Sequence, residues 1–304
     1  MFMQDILLQA GMLVAVIALG YLLRRFGVLP KESFDIVSKM VLYITLPCVV
    51  IRNFAKTTME PAYLFIIGIG FFCMVAYTVI GYLINRKKDV NAQIFDMLNF
   101  TGFNIGCFAL PYISGLLGPA AVVSVCMFDA GSALGATGGV AAICRSMKDG
   151  NRFRIGQFLK RFAKAFLPLV YITMILLRFL SVPIPSLIVR FCDLCGSGNS
   201  FLAMLMIGIG MNLNIPKAKL KWLLKAAGIR FGFAILLGAL LFFVLPFSTE
   251  VRLGIFLAIL APVSSLNPAF TREWGGDYEL ASSWNTVTIL TSLVLMTVVM
   301  LLTV

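Results

Sequence analysis

The chain has no histidine, and only 13 of its 304 residues are Asp or Glu, against 25 Lys and Arg. Without imidazole and with so few carboxylates, hydrolytic and metal chemistry lack their usual groups. An integral membrane enzyme is therefore the weakest functional class, and no cofactor or metal is expected. No Gly-x-x-x-x-Gly-Lys-Ser/Thr loop occurs, which argues against ATP drive within the chain. Charge of either sign is scarce: 12% of residues are charged and 60% are hydrophobic, with a mean hydropathy of +0.97. A soluble domain carries about a quarter charged residues, so the composition reads as an all-α polytopic protein embedded in a lipid bilayer.

What charge there is has a pattern. The net charge of +12 would point to nucleic acid in a soluble protein. Here the bases cluster in short links between apolar runs, so no nucleic-acid partner is expected. The seven cysteines lie mostly in apolar sequence, where a thiol behaves as a small hydrophobe. Cys192 and Cys195 have redox-pair spacing but no second pair, and two packed thiols is the simpler reading. The first apolar run, Ile6 to Leu23, has Asp5 before it and Arg24-Arg25 after it, the reverse of a secretory signal, and is read as a retained helix.

A span needs about twenty mostly apolar residues, which divides the chain into ten transmembrane helices. They run approximately Ile6 to Leu23, Ser38 to Phe54, Ala62 to Ile84, Ile94 to Leu117, Ala120 to Ile143, Ala165 to Leu180, Ser186 to Leu213, Trp222 to Leu245, Leu253 to Ala269 and Leu280 to Thr303. Alternate connections hold eighteen Lys and Arg on one side and five on the other. That asymmetry places the basic set in the cytoplasm, with a multi-pass chain in the cytoplasmic membrane and both termini on the extracytoplasmic side. Residues 145–164 form a basic cytoplasmic linker, which separates a first repeat, residues 1–144, from a second, residues 165–304. Five helices per half is odd, so the halves are expected to be inverted repeats if they share a fold.

Each half carries an interruption in its fourth span. Asn104-Ile-Gly-Cys-Phe-Ala-Leu-Pro111 lies in the fourth helix and Pro262-Val-Ser-Ser-Leu-Asn267-Pro268 in the ninth. Proline removes a backbone donor, and at membrane depth a freed carbonyl is tolerable only against protein or a polar cavity. Paired breaks in corresponding segments mark the substrate site of a secondary transporter. Crossed discontinuous helices 4 and 9 would meet near the midplane and turn positive half-helix ends toward an anion such as a carboxylate.

The candidate substrate-binding residues are therefore Asn104, Pro111, Pro262, Ser264, Ser265 and Asn267. The Asn104 amide suits a carboxylate, but backbone repair and helix packing are open alternatives, and sequence does not say which residue of the second break faces the cavity. Lys39, Arg178 and Arg230 lie close enough to helix ends to snorkel. Asp129 sits near the centre of the fifth span with no cation in that span, and an intramembrane carboxyl defaults to function. It is read as an ion-coupling residue for H+ or Na+, with a protonated structural Asp as the equal alternative. Trp284 fits an interfacial anchor, and Asn285 is a weaker candidate ligand.

Several segments together resemble the auxin efflux carrier family in its compact bacterial form. They are Gly20-Tyr-Leu-Leu-Arg-Arg-Phe-Gly-Val-Leu-Pro30, Leu46-Pro47, Asn104 through Pro111, Ile207-Gly-Ile-Gly-Met-Asn-Leu213, and Pro262 followed by Phe270-Thr-Arg-Glu-Trp-Gly-Gly-Asp277. The resemblance implies an elevator-type transporter with a scaffold domain and a crossover-bearing transport domain, often a homodimer through the scaffold. It also implies small organic anion substrates, mono- or dicarboxylates such as auxin, malate or malonate. The plant members' long loop between the halves is missing, so the control exerted through it is not carried over. A channel or a membrane ligand sensor on the same fold is the alternative function.

Overall fold

The structure is a computed structural model that describes all residues except 1–2, 59, 85, 88, 135–138, 150–165, 214, 216 and 304. The expected linker therefore falls largely outside the described residues. Among the described residues every regular element is helical. Among the described residues six helices are long and apolar enough to cross a membrane: Met3–Arg25, Ser33–Lys56, Tyr63–Ile84, Ser186–Gly210, Lys217–Val244 and Tyr278–Thr303. The protein is thus a polytopic, all-helical membrane protein. Helix α1 (Met3–Arg25) illustrates why such a segment stays helical, with Asp5 in its first turn and Arg24 and Arg25 in its last, matching the helix dipole at both ends.

The second long segment is helix α2 (Ser33–Met40), a π-helical turn at Val41–Thr45, and α3 (Leu46–Lys56). The same pattern recurs at a second Leu-Pro pair, where a π-helical turn at Ile105–Ala109 precedes α6 (Leu110–Ser114). Both turns close with an amide reaching five residues back, Leu46 to Val41 and Leu110 to Ile105. A proline inside a helix has no N–H and collides with the preceding turn, and widening that turn accommodates both. Pro47 and Pro111 are therefore carried within helix.

This corrects the expected position of the first interruption. Helix α5 (Val90–Phe100) ends before residues 101–104, which are non-helical, and Gly102 takes φ +85, a left-handed conformation suited to glycine. The break lies at Thr101 to Asn104 rather than at Pro111. The second break agrees better with the sequence: between α13 (Thr249–Ile259) and α14 (Asn267–Glu273) the chain is non-helical, and Pro262 lies inside it.

The remaining elements are α4 (Tyr63–Ile84), α7 (Pro119–Leu134), α8 (Val140–Asp149), α9 (Phe166–Phe179), α10 (Ser186–Ser197), α11 (Asn199–Gly210), α12 (Leu220–Val244) and α15 (Tyr278–Thr303). Lipid offers no hydrophobic drive for helices to associate, so close backbone approach through small residues carries much of the packing. Helices α1 and α11 meet at Gly20 and Gly208, and α4 meets α7 at Gly70 and Gly131; in each case an added Cβ would strike the partner's backbone. These contacts hold the broken segments between continuous helices, with the breaks in the buried interior.

Candidate functional site

At the breaks the question is where the freed backbone groups go, since each unpaired one costs several kcal/mol in an apolar medium. The carbonyls of the first break are taken in turn. Trp284 Nε1 donates to Asn99 O at 2.8 Å, Arg230 Nη1 to Phe100 O at 2.6 Å, Asn267 Nδ2 to Thr101 O at 3.2 Å and Arg230 Nη2 to Gly102 O at 3.2 Å. Those of the second break are met equally. Arg230 Nη2 reaches Ala261 O at 3.2 Å, the Asn104 amide N–H reaches Pro262 O at 2.8 Å, and Asn285 Nδ2 reaches the carbonyls of Val263 at 3.3 Å and Ser264 at 3.1 Å. The two breaks are therefore bonded to each other, and the Asn104 side chain adds a third link by donating to Ser265 Oγ at 2.7 Å.

Two sequence expectations fail here for the same reason. Arg230 does not snorkel to an interface: it is only 1% exposed and lies over the rings of Tyr77 at 4.6 Å and Phe103 at 5.5 Å. Its cationic fork sits at the C-terminal ends of α5 and α13, where orphan carbonyls and the negative dipole ends collect. Trp284 is no interfacial anchor either. It is fully buried and packs on Phe100 and Trp222 while its indole N–H serves Asn99. Arg178, by contrast, does reach a helix end, donating to Thr57 O at 2.8 Å past the end of α3.

A cavity of about 280 Å³ opens at the crossing. Asn104, Ser264, Ser265 and Asp129 line it, together with Ile105, Gly106 and Cys107, the first residues of the helix that resumes after the break. The leading N–H groups of a helix have no acceptor within it, so this wall presents donors. Pro111, Pro262 and Asn267 do not line the cavity. Pro262 and Asn267 hold the breaks together through the bonds above, and Pro111 lies buried in α6, its carbonyl accepting from Ser200 Oγ at 3.4 Å. A second cavity of about 490 Å³, lined by Arg24, Lys31, Arg272 and Tyr278 among others, shares Phe34 and Ser265 with the first.

Asp129 faces the crossing cavity from α7 and is 9% exposed. Tyr171 on α9 donates its hydroxyl hydrogen to Oδ2 at 2.8 Å, and the Ser132 hydroxyl approaches Oδ1 at 3.4 Å. Sequence reasoning missed Tyr171 because a tyrosine in an apolar helix carries no signal of which neighbour its hydroxyl meets. The described cysteines, Cys192 and Cys195 included, are free thiols, and no group of three His, Cys, Asp or Glu side chains able to hold a metal occurs among the described residues.

The arrangement is a largely apolar pocket into which a few polar groups converge, from the two interrupted helices and one carboxyl. Two comparisons agree with its sequence signature. The model of a family described as membrane transport protein matches residues 7–149. The chain is also similar to an uncharacterized transporter of Methanocaldococcus jannaschii, 26% identical over 245 residues that cover 76% of each chain. The resemblance to the auxin efflux carrier family is borne out over residues 7–149, and both comparisons support a membrane transporter.

Proposed function

We propose that the protein is a secondary transporter that carries a small organic anion, a mono- or dicarboxylate, across the cytoplasmic membrane by elevator-type alternating access. One observation carries the reading: the two helix breaks bond to each other through Asn104, and the same residue opens with Ser264, Ser265 and Asp129 onto a cavity whose remaining lining is largely apolar. Asn104 and Ser265 supply directional donors, and the amides of Ile105, Gly106 and Cys107 add positive dipole, which together suit a carboxylate. The cavity volume of about 280 Å³ suits a small acid rather than a large amphiphile.

In this reading the chain forms ten spans arranged as two inverted five-helix repeats, with both termini outside. The six long helices account for six spans, and the broken and shorter apolar helices supply the rest. A homodimer through the scaffold helices belongs to the same proposal, and Asp129 carries the coupling ion. The test is uptake of labelled malate and indole-3-acetate by proteoliposomes holding the purified protein. Saturable, counterflow-competent uptake supports the carrier, whereas currents at single-channel rates would instead support a pore, and ligand binding without flux a sensor.

A further inference from the structure

Asp129 and the donors of the helix crossing open onto one cavity of about 280 Å³. Its carboxyl is held by the Tyr171 hydroxyl at 2.8 Å, while the Ser132 hydroxyl divides its hydrogen between the Asp129 carbonyl at 3.1 Å and Oδ1 at 3.4 Å, and all three residues are buried. The other titratable groups close enough to interact with it are the thiols of Cys107, beside the crossing, and Cys126, on α7 itself. The other helices packed on α7, which are α3, α4, α6 and α13, bring no charged side chain to it among the described residues.

Among the described residues an ionised Asp129 therefore has no counter-charge, and it faces the space assigned to an anion. A compact cavity of this volume is about 8 Å across, and two like charges at that separation in an effective dielectric of about 20 weaken binding about thirtyfold. A sodium ion could relieve the repulsion, but it needs several free oxygen ligands, and Tyr171 already turns its hydroxyl hydrogen to Oδ2 of this carboxyl. A proton needs none.

Resting on the reading of this cavity as an anion site, we infer that anion and proton occupy it together, with Asp129 as the proton carrier and Tyr171 as the residue that positions its carboxyl. The step balances simply. One proton from water forms an O–H bond on Asp129 as the anion enters, Tyr171 keeps its own proton, and the same O–H bond breaks when the anion leaves. Each cycle then moves one proton in the direction of the anion, and by linkage anion affinity falls as pH rises.

The experiment is calorimetric binding of indole-3-acetate to the full chain in nanodiscs between about pH 5.5 and 9, where the probe stays ionised. Affinity is expected to fall about thirtyfold across the range, and heats in buffers of different ionisation enthalpy should give proton uptake that peaks at about 0.7 per anion. Asp129→Asn should bind with pH-independent affinity and no proton uptake. Tyr171→Phe should still bind, with the fall displaced to higher pH, a profile change that a merely structural role would not produce. Flat pH dependence in the unaltered protein, retained dependence in Asp129→Asn, or an absolute need for sodium overturns the inference while leaving the anion site standing. Failure of both indole-3-acetate and malate to bind at any pH overturns the anion site and this inference together.

Discussion

Arg230 Nη1 lies 2.6 Å from the carbonyl oxygen of Phe100, at the point where α5 stops. The other guanidinium nitrogen bridges Gly102 and Ala261, so one side chain joins the C-terminal ends of both interrupted helices. Three of the carbonyls freed by breaking two helices are met here by one planar fork, which a lysine point charge cannot match.

Arg230→Leu leaves three buried carbonyls without their donor. Hydrogen bonds to charged groups contribute about 1.5 to 3 kcal/mol each and are not additive, so the expected loss of stability is about 3 to 5 kcal/mol. Arg230→Lys should lose less, since it keeps the charge and one bond. Heat or denaturant unfolding in nanodiscs measures both. A loss below about 1 kcal/mol for the leucine variant would mean that other groups satisfy these carbonyls.

Asn104 has separable roles. Its backbone N–H ties the breaks together at Pro262, while its amide side chain reaches Ser265 and lines the cavity. Asn104→Ala should keep the fold and weaken carboxylate binding about tenfold, the worth of one hydrogen bond. Asn104→Asp should abolish binding, because a second carboxylate repels the ligand. The ligand-induced rise in unfolding temperature reports both. If Asn104→Ala lowers the unliganded melting temperature sharply and leaves affinity untouched, the side chain serves backbone repair alone.

How far the sequence revealed this site depends on the range of the interactions. The existence of two breaks was legible because Gly, Asn and Pro cluster where an apolar helix should continue. Their positions were less so: Pro111 looked like the interruption, but a π-helical turn absorbs it and Gly102 makes the actual bend. Arg230 was misjudged because its partners, Phe100 and Gly102, lie some 130 residues away, and depth in a span alone suggests snorkelling. Asp129 stood out as an intramembrane charge, whereas Tyr171 did not, since only the packing of α7 against α9 brings its hydroxyl to the carboxyl.

Glycines inside and outside the α1–α11 contact make a controlled comparison. An added methyl at Gly20 or Gly208 meets the backbone of the facing helix, which has no side-chain end to yield, whereas at Gly11 it meets nothing within 4 Å. Gly208→Ala should cost about 2 kcal/mol or more. Gly11→Ala, on the exposed face of α1, should stabilise by about 0.5 to 1 kcal/mol through backbone entropy alone. Unfolding of the two variants side by side gives opposite signs if α1 and α11 pack as described, and equal effects if they do not.

At the first turns of two spans, Lys219 bonds to the carboxylate of Asp277, which lies just before α15 and also accepts from the Leu280 N–H. Partial burial alone would raise the Asp277 carboxyl, but the Lys219 ammonium and the backbone N–H donors outweigh it and hold the group below its ordinary range. The sign follows from linkage: a carboxyl lowered on folding contributes stability that is fully present above its unfolded value, about 3.9, and is lost as pH falls through the lower folded value. The pair is substantially exposed, with side chains 27% and 42% accessible, so solvent and salt screen it and the effect on melting temperature should be small. Unfolding scans between about pH 2.5 and 6 should show an acid-side decline that is shallower in Asp277→Asn and that flattens at high salt. A decline identical in the unaltered protein and the variant would mean that this bridge does not hold the start of α15 to α12.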